Sequence, residues 1–214
     1  PTLALLEQAL RAAEVVAEDV TWVELFVQRA AIFNGLERFD DARHWASRAE
    51  AAAQRGHHRV LEARAVLELG RVQMAEREAQ VADRTFARAE SLLKESDDPA
   101  LLGEVNYNRS LAARYLQEPS RARAHALVAA KYLTRQTRQG GGETGVARGW
   151  RILGSSSLLD RELDDAEKYL RRALRLYDRF GDVLGVAECW TDLGVVARLR
   201  NDPKGAMGYL DKAL

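Results

Sequence analysis

The stretch FDDARHWASRAE at residues 39–50 returns in altered form as LDDAEKYLRRAL at residues 163–174. Both copies open with a large apolar residue and two aspartates, followed directly by one alanine and, seven positions later, by a second. A pattern that recurs within one chain is the signature of a repeat architecture, which has to be recognised before single elements are assigned. The two alanines therefore supply the frame in which the rest of the sequence is compared.

The first alanine of this pattern recurs through the chain at intervals of 40, 40, 44 and 40 residues, and the second follows seven positions later each time. The first series is Ala42, Ala82, Ala122, Ala166 and Ala206, and the second is Ala49, Ala89, Ala129, Ala173 and Ala213. Twelve positions before each first alanine stands a small residue, namely Ala30, Gly70, Ser110, Gly154 and Gly194. The chain therefore holds five copies of one unit, and Ala9 marks a leading half copy.

The last two copies carry the most complete pattern, with WRILG at residues 150–154 and WTDLG at residues 190–194. Together with the two alanines and the leucine between them, this spacing resembles the signature of the tetratricopeptide repeat. The resemblance covers nearly the whole chain and is weakest in copy three, where Asn106 and Ser110 replace the large residue and the glycine. Because the family's usual period is about 34 residues, each unit here should have longer helices or turns.

The resemblance implies an all-α fold, a right-handed superhelical solenoid of antiparallel helix pairs with about 11 helices. The composition agrees, since 47% hydrophobic and 30% charged residues with only 4 prolines suit amphipathic helices. We expect one solenoid domain, divided into a leading half repeat and five repeats at residues 1–18, 19–57, 58–97, 98–139, 140–180 and 181–214. Because polar capping repeats are missing at both ends, we expect these residues to be a piece of a longer protein.

Several helix starts and one linker can be predicted locally. Asp98 and Asp202 each precede a proline, which is typical of an N-cap followed by the first helical turn. The paired aspartates at 40–41 and 164–165 are expected in a first turn, where the helix dipole favours carboxylates. The glycine run at 140–142 falls where the interval grows from 40 to 44 residues, and it is expected to link two repeats.

No pattern supplies the parts of a catalytic, metal or cofactor site. The GSSSL run at 154–158 lacks the second glycine and the preceding strand of a nucleophile elbow, and the glycine run at 140–142 lacks the Lys-Ser or Lys-Thr of a phosphate loop. The four histidines are scattered, with His57 and His58 at a predicted turn, and the single Cys189 is expected in the core. We therefore expect a protein that is not an enzyme and that needs no metal and no cofactor.

The charge distribution bears on the partner. The chain has a formal net charge of zero, but nine Lys or Arg against two acids give residues 109–151 a charge of 9 − 2 = +7. A neutral chain without a base-reading module argues against nucleic acid, so the expected counterpart of this charge is an acidic protein surface. No segment is long and apolar enough for a membrane span or a signal peptide, which favours a cytoplasmic protein with no membrane partner.

In proteins of this family the first helix of each pair lines a concave groove, and its contact positions can be carried over copy by copy. The predicted partner-binding residues are Arg64, Leu67, Arg71, Met74, Glu104, Tyr107, Asn108, Leu111, Arg114, Tyr115, Arg148, Arg151 and Ser155. Asn108 and Arg148 match parts of the family's clamp for a C-terminal carboxylate, whereas Leu67 and Tyr107 stand where its first lysine belongs. The mixture suits a peptide or protein with acidic and hydrophobic groups, and the alternative is a solvated face without a partner.

Two functions are predicted. The first is a non-catalytic protein–protein interaction module, a scaffold or adaptor that holds a peptide or protein in its groove. The second is the ligand- or partner-sensing arm of a multidomain bacterial signalling or transcriptional regulator, and the alanine- and arginine-rich composition favours a bacterial origin. Neither prediction sets the oligomeric state, although exposed solenoid ends would permit self-association.

Overall fold

The computed structural model of the protein describes residues 20–94, 96, 98–137 and 143–213. Over these ranges the chain is all-helical, as predicted, with ten helices and no strand. The helices are α1 (Val20–Gly35), α2 (Phe39–Arg55), α3 (Arg59–Ala75), α4 (Ala79–Leu92), α5 (Pro99–Tyr115), α6 (Pro119–Thr137), α7 (Glu143–Leu159), α8 (Leu163–Phe180), α9 (Val183–Leu199) and α10 (Pro203–Ala213). The leading half repeat and the glycine run at 140–142 lie outside the described residues.

The chain consists of two compact units, Pro1–Ser96 and Asp97–Leu214. In the first unit the described helices α1 to α4 each pack on the next, and α1 also contacts α3. In the second unit α5 to α10 do the same, and α5 contacts α7 while α7 contacts α9. Helices of the same kind in neighbouring copies therefore lie side by side within each unit, so that residues about one repeat apart can touch.

Seven of the connections that the structure describes are very short turns in which one residue takes a left-handed backbone conformation, and in one of them that residue is Gly181. At six of these turns the residue is not glycine, and its φ lies between 56° and 66°: Glu37, His57, Arg77, Gln117, Arg161 and Asn201. The amide that follows it reaches back to a carbonyl in the last helical turn, as in the bonds from His58 N to Ala53 O at 2.9 Å and from Asp202 N to Ala197 O at 2.9 Å. This closure satisfies carbonyls at the helix end and turns the chain back at once.

The predicted helix starts are confirmed. The Asp98 carboxylate accepts a hydrogen bond from Leu101 N at 2.9 Å, and the Asp202 carboxylate accepts one from Gly205 N at 2.9 Å. The paired aspartates at 40–41 and 164–165 lie in the first turns of α2 and α8. Asp41, Asp164 and Asp165 also form ion pairs there, with Arg38, Arg200 and Arg123 respectively. These acids therefore start helices and hold the neighbouring turn.

Small residues allow the helices of one pair to cross closely. A Cβ placed on Gly154 of α7 would lie only 2.6 Å from Leu170 Cγ and 3.1 Å from the Ala166 carbonyl of α8. On Gly70 of α3 it would lie 2.3 Å from a ring carbon of Phe86 in α4. Among the alanines of the repeat frame, the eight in copies one to four are fully buried: Ala42, Ala49, Ala82, Ala89, Ala122, Ala129, Ala166 and Ala173. The frame deduced from the sequence is therefore the packing frame of the helix pairs.

Cys189 is a core residue of the second unit, as predicted. It is fully buried and packs in one cluster with Ala147, Ala173 and Tyr177. Burial raises the pKa of the Cys189 thiol to about 12, and nearby Arg151 offsets this only in part. The thiolate that would react with an electrophile is therefore scarce near neutral pH.

Replacing Gly154 by alanine is expected to destabilise the protein by about 1–3 kcal/mol, because the new methyl group would overlap Leu170. Urea unfolding followed by circular dichroism measures the change. Gly208→Ala in α10 is the matched control, since nothing lies within 4 Å of its Cβ position and alanine there should add about 0.5–1 kcal/mol of helix stability. A G154A protein as stable as the unchanged chain would place the crossing elsewhere.

The native protein is expected to resist alkylation by iodoacetamide at mildly alkaline pH, because the Cys189 thiol is both buried and protonated. Intact-mass spectrometry should show modification of Cys189 only after denaturation. Ser47→Cys, at an exposed position of α2, is the control and should be alkylated in the native state. Equal rates at the two cysteines would contradict the packing described for α9.

Candidate functional site

The predicted site residues of copy two lie on α3 in the first unit, and they offer little accessible surface. Leu67 is only 2% exposed, so its side chain cannot meet a partner. Arg71 forms an ion pair at 2.5 Å with Glu68, a carboxylate that is itself buried. Arg64 is exposed but stands 3.9 Å from Glu24, and Met74 is half-buried. The first unit therefore leaves Arg64 and Met74 as the accessible members of this set.

The predicted residues of copies three and four come together in the second unit, on the neighbouring helices α5 and α7. The Arg148 guanidinium lies over the Tyr107 ring, 5.4 Å from its centroid. Tyr107 and Leu111 pack on the core cluster that contains Ile152. A single surface is formed by Tyr107, Leu111, Arg114, Arg148, Arg151, Glu188 and Asp192. We call this surface the arginine face.

Two predicted residues at the edge of this surface behave differently from each other. Asn108 is 7% exposed, and its Nδ2 donates to the Glu104 carbonyl at 2.8 Å. It therefore supports α5 from inside and is not available to a carboxylate. Tyr115, at the end of α5, is 52% exposed and leaves its ring open to a partner.

Arg151 is neutralised inside the arginine face. Its side chain is only 15% exposed, it forms an ion pair with Glu188, and its Nε lies 3.6 Å from Asp192 Oδ2. Ser155 Oγ donates to the same Asp192 oxygen at 2.8 Å. Both carboxylates come from α9, four residues apart, and so lie on one side of that helix. Asp192 was not predicted, although its spacing from Glu188 could have revealed it.

Arg114 lies in the same face without such compensation. Its Nε is buried and has no hydrogen-bond partner among the described residues, and none of their carboxylates approaches its guanidinium within salt-bridge distance. Burial lowers the pKa of Arg114; Arg151 lowers it further, while Asp192 and Tyr107 act in the opposite direction. The face therefore contains a half-buried guanidinium whose Nε–H has no hydrogen-bond partner among the described residues, and such a group can bind an anion.

His57, His58 and His125 lie at positions where they contribute to the packing of turns and helices. His57 and His58 occupy the turn after α2, as predicted, while His125 Nδ1 lies 3.0 Å from Asn106 Oδ1 on α5. Over the described ranges, no three residues of the His, Cys, Asp and Glu types come together in a way that could hold a metal ion. Within the same ranges, none of the helices is both long and apolar enough to cross a bilayer.

No protein-family model and no curated protein matches the sequence. Solved structures do match. BtubC (BKLC) from P. vanneervenii has a TM-score of 0.78 at 20% identity over 97% of this chain and 85% of that chain. The apo form of RapI has a TM-score of 0.75 at 12% identity, covering 99% and 88% of the two chains. YrrB, described as a TPR protein with an unusual peptide-binding site, has a TM-score of 0.58 at 17% identity, covering 95% and 89%.

These similarities extend along almost the whole chain in each case, at identities too low to carry more than the fold. They agree with the helix pairs, the small residues at the helix crossings and the recurring frame of buried alanines. The chain therefore has the tetratricopeptide-repeat-like fold, an all-α array of helix pairs, as its internal repeat predicts.

Proposed function

We propose that this protein is a protein-interaction module and that its arginine face binds an acidic, partly apolar segment of a partner protein. The proposal includes a cytoplasmic, non-catalytic role as a scaffold or adaptor. The same face would equally serve the sensing arm of a bacterial regulator, since both roles require a surface that captures a protein segment. The fold supports the proposal, because YrrB shares it and is described as having a peptide-binding site.

Arg114 is the observation that carries this proposal. Four positions after the small residue of the frame, the adjoining copies two and four place Met74 and Leu158, both half-buried apolar side chains. Copy one places Asn34 there, and copy five places an arginine, Arg198, which is exposed. Copy three places an arginine in this position, where burial without a hydrogen bond costs about 1–3 kcal/mol. Packing does not require that charge, because neighbouring copies fill the site with apolar groups. A carboxylate that reaches Arg114 would restore the missing hydrogen bonds.

The surroundings of Arg114 indicate what else the partner should carry. Tyr107, Leu111, Arg114 and Tyr115 are spaced four, seven and eight residues along α5 and therefore share one side of it. Tyr107 and Leu111 are half-buried, and Tyr115 is exposed. An acidic side chain with an apolar neighbour would satisfy both the guanidinium and this stripe. Arg151 contributes less, because Glu188 and Asp192 already engage it.

Replacing Arg114 by methionine should weaken the binding of such a segment without weakening the fold. The probe is an array of short synthetic peptides that combine Asp or Glu with Leu or Phe, followed by fluorescence anisotropy on the best binder. Loss of charge-assisted hydrogen bonds worth about 1.5–3 kcal/mol should weaken binding by about 10–100-fold. Because a desolvated charge is removed, urea unfolding should show unchanged or increased stability.

Lys168→Met is the matched control, since it removes one positive charge from an exposed position of α8. It should change the affinity little, and raised salt should weaken the binding of both the control and the unchanged protein. Equal affinities of R114M and the unchanged protein for the acidic peptides would move the site away from the arginine face. The same conclusion would follow if none of the acidic peptides bound.

A further inference from the structure

A second surface of the molecule has a chemistry of its own. A cleft of about 320 Å³ lies between α8, α9 and α10, lined by Arg171, Leu174, Arg175, Trp190, Tyr209 and Lys212. None of these residues belongs to the arginine face. Trp190 lies midway in sequence between Glu188 and Asp192, so it projects from the side of α9 opposite to the two carboxylates that hold Arg151. The cleft, which we call the α8–α10 cleft, is therefore a separate surface.

The floor of the cleft is aromatic and apolar. Trp190 and Tyr209 stack with ring centroids 5.6 Å apart at an interplanar angle of 20°, and Leu174 lies beside them. The Lys212 ammonium stands over the Trp190 ring, 4.7 Å from its centroid. Arg171 Nη2 donates to the Tyr209 hydroxyl at 3.3 Å, which holds that ring in place. An apolar side chain could therefore lie flat on a preformed surface.

The rim of the cleft is positive. Arg171, Arg175 and Lys212 line it together, and no carboxylate does. Arg171 is engaged by Glu167 at 2.5 Å. Within the described part of the chain, Arg175 and Lys212 have no carboxylate within 4.0 Å, so their charges are free to meet an anion.

The residues at the same frame positions in other copies show which features of the cleft are part of the general packing of the repeats and which occur in this cleft. Copy four repeats the stacked pair and its cation, with Trp150 and Tyr169 5.6 Å apart and Arg172 4.0 Å from the Trp150 centroid. The stacked pair with its cation is therefore a packing device. In the counterpart formed by copies three and four, Leu127 and Ala130 stand where the cleft has Arg171 and Leu174, whereas Lys131 and Arg172 keep the positive charges of Arg175 and Lys212.

Copy two differs from the cleft in that its cation is paired with a carboxylate of the chain itself. Its residue in the frame position of Lys212 is Arg88, which forms an ion pair at 2.7 Å with Glu50. Glu50 stands in the frame position of Leu174. The cation of copy two is thus neutralised by a carboxylate of copy one, whereas copy four presents Leu174 to copy five in that position and leaves Lys212 without a carboxylate among the described residues. A carboxylate supplied from outside would restore the pairing that copy two makes within the chain.

We propose that the α8–α10 cleft binds a segment of a partner protein in which a large apolar side chain stands between carboxylates. The apolar group would lie on Trp190 and Leu174, and the carboxylates would pair with Arg175 and Lys212. A peptide suits this site better than a nucleic acid, since one pocket with two free cations gives few of the phosphate contacts on which nucleic-acid affinity depends. The proposal is independent of the arginine face and adds a second point of attachment.

The test is a titration of the ¹⁵N-labelled protein with a short Gly–Ser peptide that carries one Leu between two Glu. The indole N–H resonance of Trp190, assigned with Trp190→Phe, is expected to shift. Two matched peptides, with Gln for Glu or Ser for Leu, should each bind at least about tenfold more weakly, because each lacks one half of the recognised group. An unmoved Trp190 resonance at saturating peptide, or equal binding of all three peptides, would overturn the proposal.

Variants separate this site from the arginine face. Arg175→Gln with Lys212→Gln removes two exposed, unpaired charges and should weaken the Trp190 titration by about tenfold or more, with circular dichroism unchanged. Arg114→Met should leave the Trp190 titration as it is, so either site can fail while the other stands. An oligothymidylate that shifts Trp190 at lower concentration than the Glu-Leu-Glu peptide would assign the cleft to nucleic acid and overturn the peptide proposal.

Discussion

The close approach of two helices at a small residue is the constraint on which the rest of the structure depends. Where Gly154 meets Leu170 and the Ala166 carbonyl, no room remains for even a methyl group. Once each pair is set at this distance, α5, α7 and α9 lie side by side in the second unit. Residues about one repeat apart then touch, as Ser155 and Asp192 do. The arginine face is therefore a consequence of how the helices pack within each pair. Because the two helices of a pair lie close together, the first helices of neighbouring copies are also close enough to touch.

The two arginines at the centre of that face, Arg114 and Arg151, differ in whether the neighbouring copy supplies a carboxylate to pair with them. Arg151 receives two carboxylates from the next copy, and its pairing is complete within the chain. Arg114 stands near the same Asp192 but makes no ion pair with it, and burial lowers the pKa of Arg114. Its buried Nε–H, without a hydrogen-bond partner among the described residues, is the observation on which the proposed binding of a carboxylate rests.

The sequence predicts the helix pairs, the buried alanines and the aspartate caps because these are properties of spacing along one chain. Spacing does not predict the buried Asn106, a polar residue at a core position. Its side chain is hydrogen-bonded to His125 on another helix and to the Leu102 carbonyl, and these partners are known only from the folded structure. The left-handed turns at Glu37 and Arg77 could not be predicted from the sequence, because neither position is a glycine. The hydrogen bonds that close the helix end outweigh the cost of the left-handed conformation there. Spacing places Leu67 on the binding side of α3, but only the packed neighbours decide that it is buried.

We propose that Arg114 binds a carboxylate of the partner, and the Nε–H resonance of Arg114 is the most direct test. In the protein labelled with ¹⁵N-arginine, this signal should move strongly downfield and exchange more slowly with water as an acidic peptide saturates the arginine face. The Arg151 signal should change little, because its carboxylates are supplied by α9. If the peptide saturates the protein while the Arg114 signal stays where it was, the partner's carboxylate does not bind there and the account is wrong.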